Sequence, residues 1–203
     1  MTGTPVVGVL ALQGDVREHL RALTACGVDI RAVRRPADLE DLDGIVLPGG
    51  ESTTIDKLTR IFGLREPLIA ALRAGLPAYG SCAGMILLAK NVLDGTQDQQ
   101  TLCALDITVR RNAFGRQVES FETDVDLDGI DGGPMHAVFI RAPWVESISN
   151  GVKILGAVVP PGLNESKIIA VRHHNIMATS FHPEVTDDLR IHRYFVEMVR
   201  AAQ

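Results

Sequence analysis

Gly75-Leu76-Pro77-Ala78-Tyr79-Gly80-Ser81-Cys82-Ala83-Gly84-Met85-Ile86-Leu87-Leu88-Ala89-Lys90 is the stretch on which the fold turns. Gly75 to Tyr79 reads as a short buried strand, and Ala83 to Lys90 carries a helix-like pattern. Cys82 therefore falls on a strand-to-helix turn. Such a turn lifts a side chain above the sheet and aims the first helix amides at it, which favours a thiolate and later an oxyanion. Gly80 and Gly84 suit a strained backbone and close helix packing. A cysteine between small residues can also be plain core, so the rest of the chain has to decide between the two.

Outward from this stretch, the N-terminal side alternates strands and helices. Val6 to Leu12 is a continuous apolar run of the kind buried on both faces, followed by a Gln13-Gly14-Asp15 turn. Val16 to Cys26 has helical periodicity that Gly27 stops. Strands follow at Val28 to Val33 and Gly44 to Pro48, then helices at Thr54 to Ile61, capped by Ser52 or Thr53, and Arg65 to Ala74. This order predicts an α/β fold, a mostly parallel sheet flanked by helices on both faces, with the site at the carboxyl ends of the strands. Pro48 to Ser52 and Cys82 share that edge.

On the C-terminal side the character changes. Asn91 to Thr101 is polar; after it, short runs at 107–111, 117–125, 137–140, 154–158 and 168–171 are split by Gly, Pro and Asp turns. They predict an antiparallel β extension in the second half. Asp126 to Gly133 superficially resembles a calcium loop but lacks the closing Glu, and reads as a solvated acidic turn. Thr179 to Phe181 is a last strand entering His182-Pro183-Glu184, and Asp188 to Ala202 is an amphipathic closing helix.

Composition narrows the class. With 203 residues the chain has room for a sizeable core. A net charge of -5 with acids and bases mixed lacks the clustered Lys and Arg of a nucleic-acid or anionic-membrane surface. Cys26, Cys82 and Cys103 are odd in number and form no Cys-x-x-Cys pair, so neither a disulfide framework nor a zinc site is indicated. No window approaches a membrane span and the first residues do not read as a signal peptide. The expectation is a soluble cytoplasmic protein.

A cysteine nucleophile needs a base and a group that holds the base. His182 and Glu184 have a suitable spacing, since residues i and i+2 of an extended segment project to one side. Pro48-Gly49-Gly50-Glu51-Ser52-Thr53 follows a buried strand, and its paired glycines let a backbone amide face a ligand, as an oxyanion hole with Ala83 requires. A phosphate loop would need a Gly-Lys-Ser/Thr that is absent.

Together these segments resemble the class I, triad-type glutamine amidotransferases. Leu12-Gln13-Gly14 with Val16-Arg17-Glu18-His19, Pro48 to Thr54, Arg111-Asn112-x-Phe114-Gly115-Arg116-Gln117, Phe139 to Pro143 and Thr179 to Glu184 narrow this to the glutaminase subunits of pyridoxal 5'-phosphate synthases. The resemblance implies a single amidotransferase domain over residues 1–203, with Cys82 as nucleophile, His182 as base and acid, Glu184 as orienter, and the amides of Ala83 and Gly50 as oxyanion hole. It implies a glutamine site of Gly50, Glu51, Ser52, Arg111, Ile140 and Arg141. Arg111 or Arg141 suits the substrate carboxylate and Glu51 its ammonium. The expected partners are L-glutamine and a barrel-shaped synthase subunit in a large hetero-oligomer, with no nucleic acid, membrane, metal or organic cofactor. A glutaminase for another synthase, a cysteine peptidase and a non-catalytic glutamine-binding subunit are the rival readings. Ser81, where Thr is commoner, and the pair His173-His174 depart from the family pattern; neither histidine has a carboxylate two residues later. His19, His136 and His192 carry no catalytic expectation, and Cys26 and Cys103 read as structural.

Overall fold

The apolar runs of the first half become neighbouring parallel strands, and most strands of the second half extend the same sheet, largely antiparallel. The computed structural model describes residues 3–111 and 120–203. In chain order it has β1 (Val6–Leu10), α1 (Val16–Ala25), β2 (Asp29–Val33), β3 (Gly44–Leu47), α2 (Ser52–Ile61), α3 (Arg65–Arg73), β4 (Ala78–Ser81) and α4 (Ala83–Leu88). There follow β5 (Ala89–Leu93), β6 (Leu105–Arg110), β7 (Ser120–Val125), β8 (Met135–Ile140), β9 (Trp144–Ile148), β10 (Lys153–Val158), β11 (Lys167–His173), β12 (Ile176–Thr179) and α5 (Arg190–Ala201). The main sheet runs β2-β1-β3-β4-β12-β11-β9-β6-β5, with β10 also pairing β11; β7 and β8 form a separate antiparallel pair.

From β2 to β12 every pairing is parallel. Register places Val9 beside Val46, Val46 beside Tyr79 and Tyr79 beside Met177, a fully buried row through the middle of the sheet. That row faces α1 and α5 through Leu23, Phe195, Val196 and Val199. The alternate residues, such as Leu10, Ile45, Leu47 and Ala178, face α2, α3 and α4 through Ile55, Leu68 and Met85. Burial on both faces explains why these strands read as unbroken apolar runs rather than as alternation.

Three expectations need correction. The helix after Cys82 ends at Leu88 rather than Lys90, and Ala89 opens β5, which pairs parallel with β6 at the sheet edge. Every residue of α4 is buried, so its sequence has no polar face to mark where it stops. Strand β9 was not anticipated: it follows Ala142-Pro143 and its Trp144-Val145-Glu146 start breaks alternation. The cap of α2 is neither Ser52 nor Thr53 but Glu51, whose carboxylate accepts from the Thr53 amide. The acidic turn of 126–133 is braced by protein cations: Asp128 pairs with Lys153 at 2.9 Å, and Arg190 donates to the Gly133 carbonyl at 2.7 Å. Among the described residues no helix is long and apolar enough to cross a membrane.

Candidate active site

Cys82 occupies the turn between β4 and α4 with φ 47° and ψ -98°, a conformation that non-glycine residues rarely adopt. Strain of this kind costs about 1–3 kcal/mol. It is held by what surrounds it: the Cys82 amide donates to the Thr179 carbonyl at 2.8 Å, and the Cys82 carbonyl accepts from the Met85 amide at 3.1 Å. Met85, Ile86, Leu87 and Leu88 are all buried directly after it, and each fully buried side chain of this kind contributes about 1.5–3 kcal/mol. Packing of α4 therefore outweighs the strain.

Thr179 at the end of β12 lies beside Ser81 at the end of β4, and the chain continues through Ser180 and Phe181 to His182. The expectation that His182 and Glu184 lie on extended chain is not met. His182 has φ -106° and ψ 83°, and residues 183–185 form a single tight helical turn. That turn swings Glu184 back, so its Oε1 still lies 2.8 Å from His182 Nδ1. The Ser81 hydroxyl lies 3.0 and 3.1 Å from the two Glu184 oxygens, and the Asp15 carboxylate approaches the same His182 Nδ1 at 3.4 Å. His182 and Cys82 line the same cavity, and the Cys82 side chain is among the groups that favour charge on the imidazole.

The electrostatics follow from burial and from these partners. Burial opposes charge on His182, yet Asp15, Cys82 and Glu184 together overcome it and push its pKa up to about 12. Burial likewise opposes ionisation of Glu184; His19 and His182 prevail and hold it down at about 2. The pair thus stands as imidazolium and carboxylate around neutral pH.

Cys82, Ala83 and His182 open into a pocket of about 280 Å³. Gly50, Glu51, Ser52, Arg111, Ile140 and Arg141 line it as well. All the residues named for oxyanion and glutamine binding thus line one cavity with Cys82, while Glu184 lies behind His182. The remaining lining residues are Gln13, Asp15 and Ile86. The Gln13 side chain accepts from the Glu51 amide at 2.8 Å, fixing Gly50 at φ 144°, where a β-carbon would strike that same side chain. The Gly49 carbonyl accepts from the Asp15 amide at 3.2 Å, so the trans-planar Gly50 N–H points away from the Gly14-Asp15 turn.

Arg111 and Glu51, expected to meet opposite ends of one substrate, meet each other: Nη2 lies 2.9 Å from Glu51 Oε1. Gln99 completes this network, accepting from Arg111 at 3.0 Å and donating to the Ser52 hydroxyl at 3.0 Å. Sequence reasoning missed Asp15, Ile86 and Gln99. Asp15 had a usable signal, its place just beyond the carboxyl end of β1; Gln99 had none, lying in a polar connection. His173 pairs with Ile176 at the opposite end of β12 from Thr179, so neither His173 nor its neighbour His174 reaches Cys82. Of the block running from Arg111 to Gln117, residues 112–117 lie outside the described residues.

Residues 9–201 match the SNO glutamine amidotransferase family. The chain belongs to that family. It is therefore a glutamine amidotransferase, an enzyme that hydrolyses an amide. It is 64% identical over 198 residues to the pyridoxal 5'-phosphate synthase subunit PdxT of Nocardia farcinica, covering 98% of this chain and 87% of that one. It is 60% identical to the PdxT subunit of Salinispora tropica, covering 98% of both. A solved glutamine amidotransferase, 45% identical, superposes with a TM-score of 0.87 over 96% of this chain and 98% of that one. The expected fold class is thereby established: a curled, mostly parallel sheet flanked by helices, with a small antiparallel sheet beside it.

Proposed function

We propose that this amidotransferase hydrolyses L-glutamine to glutamate and ammonia through a thioester on Cys82, and that residues 1–203 act as one catalytic domain in the cytoplasm. The observation that carries the reading is the hydrogen-bonded pair His182–Glu184 with His182 lining, together with Cys82, one pocket of about 280 Å³. The Cys82 thiolate attacks the side-chain amide carbon, and the amides of Ala83 and Gly50 bind the oxyanion. His182, already protonated, gives its proton to the departing ammonia. It then takes a proton from water, which attacks the thioester and releases glutamate. Glu184 holds the imidazole tautomer throughout.

The network of Glu51, Arg111 and Ser52 suits a free amino acid. Glu51 is nearly half exposed although Arg111 is largely buried, so solvent screens their ion pair from one side and a substrate carboxylate engaging Arg111 or Arg141 can displace it. Glu51 is then left to face the substrate ammonium, with Ile140 packing beside the chain. No metal or organic cofactor enters the scheme.

The relatives named PdxT support the further reading that the ammonia passes to a barrel-shaped pyridoxal 5'-phosphate synthase subunit in a hetero-oligomer. Glutamate release by the purified chain, with and without that subunit, tests both parts. The expected result is stimulation by the synthase subunit and complete loss in Cys82→Ala with the fold retained. Undiminished release by Cys82→Ala would overturn the thioester, and equal rates with and without the synthase subunit would overturn the partner.

A further inference from the structure

Two histidines that the reaction scheme does not use lie behind Glu184. His19 comes from α1 and His192 from α5, both are fully buried, and neither lines the pocket. His19 Nδ1 and His192 Nε2 are 3.0 Å apart, so they share one hydrogen bond. The far nitrogen of His19, Nε2, lies 3.5 Å from Glu184 Oε1, the oxygen that also meets His182. Tyr79 closes the box, its ring edge-on to both imidazoles at 6.0 and 6.1 Å.

The protons in this box have only one low-energy arrangement. If His19 donated from Nδ1 to His192, a bare Nε2 lone pair would face an anionic carboxylate, and His192 would bury an N–H at Nδ1, where no hydrogen-bond partner stands among the described residues. In the alternative, His192 donates from Nε2 to His19 Nδ1, and His19 presents its Nε2–H to Glu184. At 3.5 Å this contact is electrostatic rather than a formed hydrogen bond, and the other unpartnered nitrogen, His192 Nδ1, then carries only a lone pair. Burial lowers the pKa of both rings, that of His192 to about 3. Two aliphatic side chains would pack this space without any polar cost. The imidazoles instead add a directed N–H to a carboxylate whose remaining partners are His182 and Ser81.

Resting on the reading that Cys82, His182 and Glu184 do the chemistry, we propose that His19 is a positioning residue. Its tautomer is locked by His192, and its Nε2–H holds the Glu184 carboxylate turned toward His182. A chain of close contacts thus runs from His182 through Glu184 and His19 to His192, joining α1 and α5 to the site.

The test compares wild type, His19→Leu, His19→Gln and His192→Phe in the complex with the synthase subunit. It reads kcat and KM for glutamine, thermal midpoint, and the rate of iodoacetamide labelling at Cys82, resolved from Cys26 and Cys103 by peptide mass spectrometry. His19→Leu should lower kcat about 10- to 100-fold, the loss typical of removing an outer partner of a catalytic imidazole's network, with KM little changed and Cys82 labelling slowed in parallel. His19→Gln, which restores an N–H, should recover most of both rates. His192→Phe should fall between, because His19 then has no fixed tautomer. Wild-type kcat and labelling in His19→Leu would overturn the proposal. So would a folded His19→Gln no faster than a folded His19→Leu. If His19→Leu does not fold, an unimpaired His192→Phe overturns it instead. Should the wild type release no glutamate at all, the glutaminase reading fails, while the labelling rates still judge the role of His19.

Discussion

The two sides of the pocket are built on opposite principles. Behind Cys82, the groups are buried and mutually committed: Glu184 has contacts from His182, Ser81 and His19, all drawn from the ends of core strands or from helices packed on them. Across the cavity, Glu51, Arg111 and Gln99 form a partly solvated lattice, with Glu51 nearly half exposed. Charges in the first region interact in a low-dielectric setting and are fixed before substrate arrives; those in the second are screened and exchangeable. The dry side should govern kcat and the wet side KM.

The largest effect that could break this division is at the base. His182→Gln should reduce kcat by about 10³-fold or more, since a triad without its base keeps only binding and oxyanion stabilisation. The same variant has a stability signature. The folded His182 pKa of about 12 lies above the ordinary imidazole value of 6.5, so its contribution is complete below about pH 6.5 and declines as pH rises toward 12. The gap in melting temperature between wild type and His182→Gln should narrow from pH 6.5 to pH 10, and a constant gap would contradict the assigned ionisation.

Next in size, Arg111→Met should raise KM for glutamine about tenfold or more, the worth of a charge-assisted hydrogen bond, and leave kcat nearly unchanged. A pure kcat effect would place Arg111 on the wrong side of the comparison. Ser81→Ala removes one donor to a carboxylate that keeps its other contacts, and should cost kcat up to about tenfold with KM unaltered. Gln99→Ala should raise KM only about two- to fivefold, because Gln99 orders Arg111 and Ser52 from an exposed connection.

A last effect is on stability rather than on rate. Burial pushes the pKa of folded His192 down from the ordinary imidazole value of 6.5 to about 3. Acidification through that window favours the unfolded chain, which takes up the proton, by about 1.4 kcal/mol per pH unit. His192→Phe should lose stability less steeply than wild type between pH 6 and pH 4 in urea titrations, and an equal slope would mean that His192 is not held neutral.

The contrast between the two sides also separates what could be read from the chain from what could not. The strand-turn-helix at Cys82, the Gly49-Gly50 loop and the parallel half were legible because each is a local pattern: apolar runs, turn glycines and helical period lie within a few residues. Strands β5 and β9 escaped because one follows a helix with no polar face and the other breaks alternation. The spacing of His182 and Glu184 pointed to the right contact for the wrong reason, since a tight turn rather than extended chain brings them together. His19 and His192 were indistinguishable in sequence from histidines on any amphipathic helix.

By itself, the sequence placed a cysteine on a strand-to-helix turn at the carboxyl edge of a parallel sheet, because apolar runs, helical period and turn glycines are local patterns. Tertiary structure alone decided the company that turn keeps. Ser81 meets Glu184 across 103 positions and His19 meets His192 across 173, since strand order sets β12 beside β4 and packs α1 against α5. Polar contacts made over such separations depend on the register and order of strands, which no local pattern encodes.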